Sequence, residues 1–293
     1  MTVAIVTGAS RGIGRAIALQ LAEDGMDLND IQAQSADLEN VRKEVEKKGI
    51  FLLKLSEQIV GDRDAHDVVG RRATCVIADV TQESEVKGMV AAVVKELGEL
   101  NVMVANAGII VTKSLFEVSV DEWDKVMAVN VRGVMLCYRE AAKQMIKQGK
   151  GGKIVGACST AGHRPSGGGV IAYGTSKWAV RGLTQATAME LGQHNINMWD
   201  KIAQNVSEQT GVTPEEAFNN SVNARTALKR HSEPEDIANL VSFLVSPKAR
   251  NITGQSVLTD GGMIVPNQDF GYFHAKSFFE RYRFCLRRDN MIV

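Results

Sequence analysis

Short apolar segments alternate with longer segments of helical periodicity along the chain. The segment TVAIVTG precedes Ile13, Ile17 and Leu21, which are spaced at i, i+4 and i+8, as on one face of a helix. The same order recurs where ATCVIADV precedes SEVKGMVAAVVKELG and LNVMVANAG follows it. Strands rich in valine and isoleucine are typical of a parallel sheet that helices cover on both faces. The pattern therefore predicts one α/β domain with a doubly wound parallel sheet, the Rossmann fold.

Two segments fit this alternation poorly. Residues 50–70, IFLLKLSEQIVGDRDAHDVVG, stand between a helical segment and the next predicted strand. Residues 264–293 hold seven of the sixteen Phe, Tyr and Trp of the chain, and four arginines lie among the last 13 positions. We predict a domain over residues 1–263 with an atypical insertion at about 50–70, followed by an aromatic, arginine-rich extension over 264–293.

Composition excludes several function classes. The chain balances 34 Lys and Arg against 34 Asp and Glu without a dense basic block, which argues against nucleic acid or an anionic membrane as a partner. No apolar run approaches the roughly 20 residues that cross a bilayer, and MTVAIVTGAS lacks the layout of a secretion signal. Cys75, Cys137, Cys158 and Cys285 form no CxxC pair, so neither a metal site nor a disulfide framework is expected. A cytoplasmic protein is predicted.

The first turn of the chain indicates phosphate binding. In VTGASRGIGRA, Gly8, Gly12 and Gly14 lack a Cβ, so the backbone can turn sharply and approach a pyrophosphate closely. The helix that follows supplies free N–H donors and the positive end of its dipole. The alternative is an ordinary tight turn between a strand and a helix. The position of the triplet at the start of an alternating domain favours nucleotide binding.

A tyrosine and a lysine are spaced four positions apart in IAYGTSKWAV. Tyr173 and Lys177 would lie on the same face of a helix. A neighbouring ammonium stabilises a phenolate, which is the form a phenol reaches when it gives a proton to a developing alkoxide. The alternative is a solvated surface pair that contributes only a few tenths of a kcal/mol.

Five segments in order resemble the short-chain dehydrogenases/reductases. TGASRGIG resembles the TGxxxGxG fingerprint, ANAG at 105–108 is similar to NNAG, and VNVRG at 129–133 resembles the asparagine segment. CSTAG at 158–162 resembles the serine segment, and YGTSK at 173–177 resembles the YxxxK motif. Within the family, RGLTQ, SEPEDIA and TGQSVLTDGGM are most similar to acetoin/diacetyl reductases and related carbonyl reductases.

This resemblance implies a catalytic set of Asn130, Ser159, Tyr173 and Lys177. Tyr173 would transfer the proton, and Ser159 would hold the substrate oxygen. Asn130 would position a water that links Lys177 to solvent, and Lys177 would also bind the nicotinamide ribose. Ser159 precedes Tyr173 by one residue more than is common in the family, so Ser166 is a second candidate.

The resemblance also implies a set of cofactor-binding residues at the carboxyl ends of the strands. They are Gly8, Ser10, Arg11, Gly12, Ile13, Gly14, Asp30, Asp79, Val80, Asn106, Ala107 and Gly108, together with Tyr173 and Lys177. Asp30, at the end of the second predicted strand, would accept from a ribose 2′-OH and repel a 2′-phosphate. Arg11 is of a type often found beside a 2′-phosphate. We therefore expect NAD(H) or NADP(H), with NAD favoured by a small margin.

One segment departs from the family pattern. The helix RGLTQATAMELGQ gives way to HNINMWDKIAQ, in which only NIN resembles the expected strand and MWDK resembles the start of a helix. No proline occurs between Pro165 and Pro214, so the Pro-Gly turn of the family is absent, and the strand before Asp30 looks short. These features predict that a core strand is missing, together with one wall of the cofactor pocket.

The sequence thus predicts an NAD(P)-dependent oxidoreductase that reduces a small ketone or diketone, acetoin-like or diacetyl-like, by hydride transfer. The alternatives are a 3-oxoacyl or secondary-metabolite ketoreductase, or a catalytically silent dinucleotide-binding scaffold that lacks the core strand. The expected partner is a small-molecule carbonyl or alcohol. The relatives imply a homotetramer or a homodimer.

Overall fold

The computed structural model of the chain describes residues 2–31, 50–52, 71–164, 169–203 and 226–263. In these residues, eight strands form one parallel sheet with the spatial order β3-β4-β2-β1-β5-β6-β7-β8. The strands are β1 Val3–Thr7, β2 Asp27–Ile31, β3 Ile50–Leu52, β4 Arg71–Val76, β5 Val102–Ala105, β6 Gly152–Ser159, β7 Ile196–Ala203 and β8 Gln255–Leu258.

Six α-helices lie in the described residues. They are α1 Gly12–Glu23, α2 Glu83–Leu97, α3 Val120–Met127, α4 Val134–Gln148, α5 Ile171–Leu191 and α6 Pro234–Val245. A π-helical turn over Ala128–Gly133 joins α3 to α4, and a 3-10 turn over Thr160–Gly162 follows β6. None of these helices combines the length and the apolar composition that a bilayer crossing requires.

The helices pack against both faces of the sheet, as the apolar strands predict. Val3 and Ile5 of β1 belong to a core cluster with residues of α2, α4 and α5, whereas Ala4 and Val6 belong to a cluster with residues of α1 and α6. Successive side chains of a strand point to opposite faces, so a strand buried on both faces has apolar residues at every position. The predicted doubly wound α/β fold is confirmed.

The prediction of a missing core strand is wrong. β7 pairs with β6 over eight residues and with β8 over four. Met198 and Trp199 are fully buried and lie in the two opposite core clusters, so this segment does supply an apolar residue to each face. Its start is anchored by the amide of Asn197, which donates to the backbone carbonyls of Arg250 and Ile252. Ladder partners on both sides therefore impose an extended conformation on MWDK, which was predicted to start a helix.

The other predicted departures fall partly outside the described residues. Ile50–Leu52 of the predicted insertion forms the edge strand β3, which pairs with Arg71–Ala73. β2 pairs with β1 over all five of its residues, and Asp30 lies opposite Val6. The rest of the insertion, Ser166 and the extension over 264–293 lie outside the described residues.

The burial of Trp199 gives a stability test of β7. We expect Trp199→Ala to lower the free energy of unfolding by about 3–5 kcal/mol, because it leaves a cavity between the sheet and α6. Urea unfolding followed by circular dichroism measures the change. Trp178→Ala is the control, since this indole is 44% exposed on α5, and it should cost about 1 kcal/mol or less. Equally small effects at both positions would contradict the assignment of Trp199 to the core.

Candidate active site

The carboxyl ends of β1 and β5 form a crevice in the middle of the sheet. β1 pairs with β2 on one side and with β5 on the other. The chain therefore leaves β1 and β5, which are neighbours, in opposite directions along the sheet. Open α/β sheets bind ligands outside the carboxyl ends of the strands at such a switch point. The glycine turn lies at this position, between β1 and α1.

The glycine turn is shaped for close backbone approach. Gly8 has a φ of +70°, a conformation that residues with a Cβ rarely adopt. A Cβ on Gly14 would overlap the carbonyl oxygen of Gly8, so only glycine lets α1 begin this near the turn. Ser10 is buried, and its Oγ has no hydrogen-bond partner among the described residues. A phosphate oxygen would satisfy this hydroxyl and the N–H groups of the first turn of α1, so these residues fit a dinucleotide.

Thr7 ties the glycine turn to the end of β5. Its Oγ1 accepts the backbone N–H groups of Asn106 and Ala107, each at 2.9 Å. The side-chain amide of Asn106 returns a hydrogen bond to the carbonyl of Thr7 at 3.0 Å. Sequence reasoning missed Thr7. Its signal would have been a hydroxyl at the last position of a buried strand, directly before the first glycine.

Asn130 lies fully buried in the π-helical turn between α3 and α4. Its Oδ1 accepts the N–H of Ile109 and its Nδ2 donates to the carbonyl of Ile109, both at 2.8 Å. The same Nδ2 donates to Ser176 Oγ at 3.0 Å, and Ser176 donates in turn to the carbonyl of Tyr173 at 2.6 Å. Asn130 therefore joins the segment after β5 to the helix of the tyrosine and the lysine. Ser176 was also missed by sequence reasoning.

Tyr173 and Lys177 are buried together on α5, with 6% and 4% of their surfaces exposed. Lys177 Nζ lies 5.3 Å from the centroid of the Tyr173 ring and donates to the carbonyl of Ala157 at 2.8 Å. The alternative of a solvated surface pair is therefore wrong. A positive charge is held beside the phenol in a region of restricted solvent access, where its influence on a developing negative charge is strong.

The end of β6 brings Ser159 to the same edge of the sheet. Ser159 follows Ala157 by two positions, so the side chains of both point to the same face of the strand. Its hydroxyl is buried and accepts the backbone N–H of Ala161 at 3.2 Å, which starts the 3-10 turn. One strand end thus holds the ammonium of Lys177 and carries the serine hydroxyl.

The remaining predicted cofactor residues lie along the same crevice. Gly108 is exposed, and a Cβ placed on it would lie 3.6 Å from Lys177 Nζ. Asp79 is exposed after β4, and its carboxylate accepts the N–H of Thr81 at 2.9 Å. Val80 beside it is buried. Only the backbone of Asp30 is described, near the end of β2 next to β1.

Two titratable groups in nearby segments of the chain have shifted pKa values, His163 after the 3-10 turn and Glu122 on α3. Burial lowers the pKa of His163 below its ordinary value, and the positive charge of Arg181 acts in the same direction, while Asp260 opposes both. The pKa of Glu122 is lowered to about 2. The causes are the ammonium of Lys113, which donates to Glu122 at 2.6 Å, and the backbone N–H of Ser119. At neutral pH, His163 is therefore expected to be neutral and Glu122 to be charged. The described residues hold no cluster of three or more metal-ligating side chains.

The sequence of the chain is similar to those of known proteins. Residues 2–65 match the family model of short chain dehydrogenases, and residues 50–264 match a model described as enoyl-(acyl carrier protein) reductase. The chain is 43% identical over 278 residues to a short-chain dehydrogenase/reductase of Armillaria gallica, and the match covers 89% of this chain and 95% of that one. It is 35% identical over 274 residues to an (S)-acetoin-forming diacetyl reductase of Staphylococcus epidermidis, with 89% and 98% covered.

A solved structure gives the same result. A short chain dehydrogenase from Burkholderia cenocepacia, in complex with NADP, superimposes with a TM-score of 0.74 at 31% identity, over 89% of this chain and 97% of that one. The resemblance stated from the sequence motifs is thereby confirmed, as is the prediction of an oxidoreductase that uses NAD(H) or NADP(H). The chain belongs to the short-chain dehydrogenases/reductases.

Proposed function

We propose that the protein reduces a small ketone or diketone, of the acetoin or diacetyl kind, to the corresponding alcohol. The observation that carries this proposal is the burial of Tyr173 and Lys177 on one face of α5, with the ammonium 5.3 Å from the phenol ring. The identity of 35% to a diacetyl reductase supports the substrate class.

Each residue of the site has a role in this reaction. A nicotinamide held in this site would supply the hydride. Tyr173 gives its proton to the carbonyl oxygen as negative charge develops there, and Lys177 stabilises the phenolate that remains. Ser159 donates a hydrogen bond to the same oxygen, as an oxyanion donor does. Asn130 positions a water through which the lysine regains contact with solvent.

The glycine turn and the neighbouring strand ends would hold the cofactor. The N–H groups at the start of α1 would bind the pyrophosphate, together with the hydroxyl of Ser10, which has no hydrogen-bond partner in the described part of the chain. Asp79 and Val80 would border the adenine, and Asn106 to Gly108 would support the nicotinamide half beside Lys177. We further propose that NAD is preferred, because Asp30 lies near the end of β2 next to the turn.

A 3-oxoacyl or secondary-metabolite ketoreductase is the second candidate. Residues 50–264 match the family model described as enoyl-(acyl carrier protein) reductase, and this description supports an acyl thioester substrate. The silent-scaffold alternative loses its basis, because it rested on the absence of the strand that β7 provides. From the family resemblance we also propose a cytoplasmic homodimer or homotetramer, with a catalytic domain over residues 1–263 and an extension over 264–293.

Replacing the phenol tests the proposed chemistry. We expect Tyr173→Phe to lower kcat for diacetyl reduction by about 10²- to 10⁴-fold, because it removes the proton donor, and to leave NADH binding intact. Absorbance of the reduced cofactor measures turnover, and NADH fluorescence measures binding. Tyr138→Phe is the matched control, since Tyr138 is a buried tyrosine on α4 whose hydroxyl contacts Thr184 instead. Full turnover by Tyr173→Phe would exclude the proposed mechanism. Turnover of an acetoacetyl thioester but not of diacetyl would select the second candidate.

The glycine turn can be tested separately from the chemistry. Gly14→Ala should weaken NADH binding by roughly 100-fold or more, because the methyl overlaps the carbonyl of Gly8 and displaces the turn. Gly88→Ala is the control, since a Cβ on this exposed glycine of α2 contacts nothing within 4 Å. It should leave binding unchanged and raise the free energy of unfolding by about 0.5–1 kcal/mol. Unchanged binding by a folded Gly14→Ala variant would place the dinucleotide elsewhere.

The cofactor preference can be tested at Asp30. We expect Asp30→Ser to improve NADPH binding relative to NADH by about tenfold, or 1.4 kcal/mol, because it removes a charge that repels the 2′-phosphate. Fluorescence titration with both cofactors measures the ratio of the two dissociation constants. Asp24→Ser, at the exposed end of α1, should leave that ratio unchanged. A parent protein that already binds NADPH more tightly would overturn the preference.

A further inference from the structure

The hydroxyl of Ser176 is the link between Asn130 and the helix that carries Tyr173 and Lys177. Ser176 is fully buried, as is Asn130, whose Nδ2 lies 3.0 Å from Ser176 Oγ. On the other side, Ser176 Oγ lies 2.6 Å from the carbonyl oxygen of Tyr173. We infer that Ser176 is a positioning residue for the proposed reduction, acting through Asn130. The inference rests on the proposed function.

The hydrogen-bonding capacity of the two side chains fixes the direction of this link. Ile109 presents an N–H to Oδ1 of Asn130 and a carbonyl to Nδ2, so the carboxamide can take one orientation only. The second hydrogen of Nδ2 then points to Ser176, whose oxygen must accept it. The proton of Ser176 is consequently directed to the carbonyl of Tyr173. The four groups form a chain of hydrogen bonds that runs in one direction.

This chain connects the parts that must keep a fixed distance during catalysis. At one end, Ile109 follows Gly108, where a Cβ would lie 3.3 Å from Asn130 Oδ1 and 3.6 Å from Lys177 Nζ. At the other end, the carbonyl of Tyr173 also faces the backbone N–H of Lys177, as the pairing of i with i+4 in a helix requires. Ser176 therefore sets the position of the helix that carries the catalytic pair against the segment proposed to support the nicotinamide.

A second hydroxyl on the same helix makes an equivalent link away from the site. Thr184 is also fully buried, and its Oγ1 contacts the hydroxyl of Tyr138 and donates to the carbonyl of Val180, both at 2.9 Å. Like the link from Ser176 to Asn130, the link from Thr184 to Tyr138 joins α5 to the helical segment 46 positions earlier. Thr184→Val thus removes a buried hydroxyl of the same kind without changing the contacts of Asn130.

The experiment compares Ser176→Ala with Thr184→Val in the full-length chain. Thermal unfolding measures the structural cost of each, NADH fluorescence measures binding, and steady-state kinetics with diacetyl measures kcat. We expect Ser176→Ala to lower kcat by about 10- to 100-fold, because the reacting groups lose their alignment. NADH binding should not change. Thr184→Val should keep the parental kcat with a similar loss of thermal stability.

A double-mutant cycle tests whether Ser176 acts through Asn130. Adding Ser176→Ala to an Asn130→Ala background should cause no further loss of kcat, since coupled residues are not additive. Ser176→Cys keeps a weaker hydrogen-bonding group at the same position and should give an intermediate kcat. This variant tests the positioning role if Ser176→Ala does not fold.

Three results would overturn the inference alone. A folded Ser176→Ala variant with parental kcat would exclude a positioning role, as would a Ser176→Cys variant with parental kcat when Ser176→Ala does not fold. Equal losses of kcat from Ser176→Ala in the parental and Asn130→Ala backgrounds would show that Ser176 acts independently of Asn130. In these cases the proposed function stands. A parent chain that turns over neither diacetyl nor an acyl thioester would overturn the proposed function, and this inference with it.

Discussion

A buried ammonium is the constraint on which the rest of the site depends. Lys177 is 4% exposed, and burying a charge is costly unless polar groups replace its water. In the described part of the chain, its Nζ faces the carbonyl of Ala157 and the ring of Tyr173 rather than a carboxylate. A carboxylate would neutralise the charge that a phenolate needs beside it. The strand end and the helix must therefore meet with an accuracy of a few tenths of an ångström, the scale on which hydrogen-bond lengths vary.

The pairing of β6 in the sheet provides this accuracy. β6 carries Ala157 and Ser159, and β7 pairs with it along its whole length, from Gly152 to Ser159. β5 pairs with β6 as far as Gly156, and β7 continues the pairing through Ser159, so the backbone that carries the carbonyl of Ala157 and the hydroxyl of Ser159 is held in the sheet. β7 contributes no residue to the proposed chemistry. Its pairing with β6 nevertheless determines where the carbonyl of Ala157 and the hydroxyl of Ser159 lie.

The fold and the family were predicted correctly from sequence patterns. Strands buried on two faces and a glycine turn can be recognised within short segments of the chain. The strand at Met198 and Trp199 was missed because its conformation is set by ladder partners on β6 and β8 rather than by local propensity. Thr7 and Ser176 were missed for a related reason. Each hydroxyl looks ordinary in its own segment, and its partners lie 99 or 46 positions away in the chain. The roles assigned to the site residues stay predictions.

The register of α5 against the sheet is fixed at two consecutive residues. Each residue turns an α-helix by about 100°, so a slip of α5 by one position would rotate Tyr173 and Lys177 together away from the end of β6. β6 opposes such a slip through two hydrogen bonds to Lys177. The carbonyl of Ala157 accepts from Nζ of Lys177, and the thiol of Cys158 donates to the backbone carbonyl of Lys177 at 3.2 Å. The hydrogen bond from Asn130, in the π-helical turn, holds the preceding residue, Ser176. Two separate segments, the end of β6 and the π-helical turn, thus fix two consecutive residues of α5, so the phenol and the ammonium keep their position at this end of the sheet.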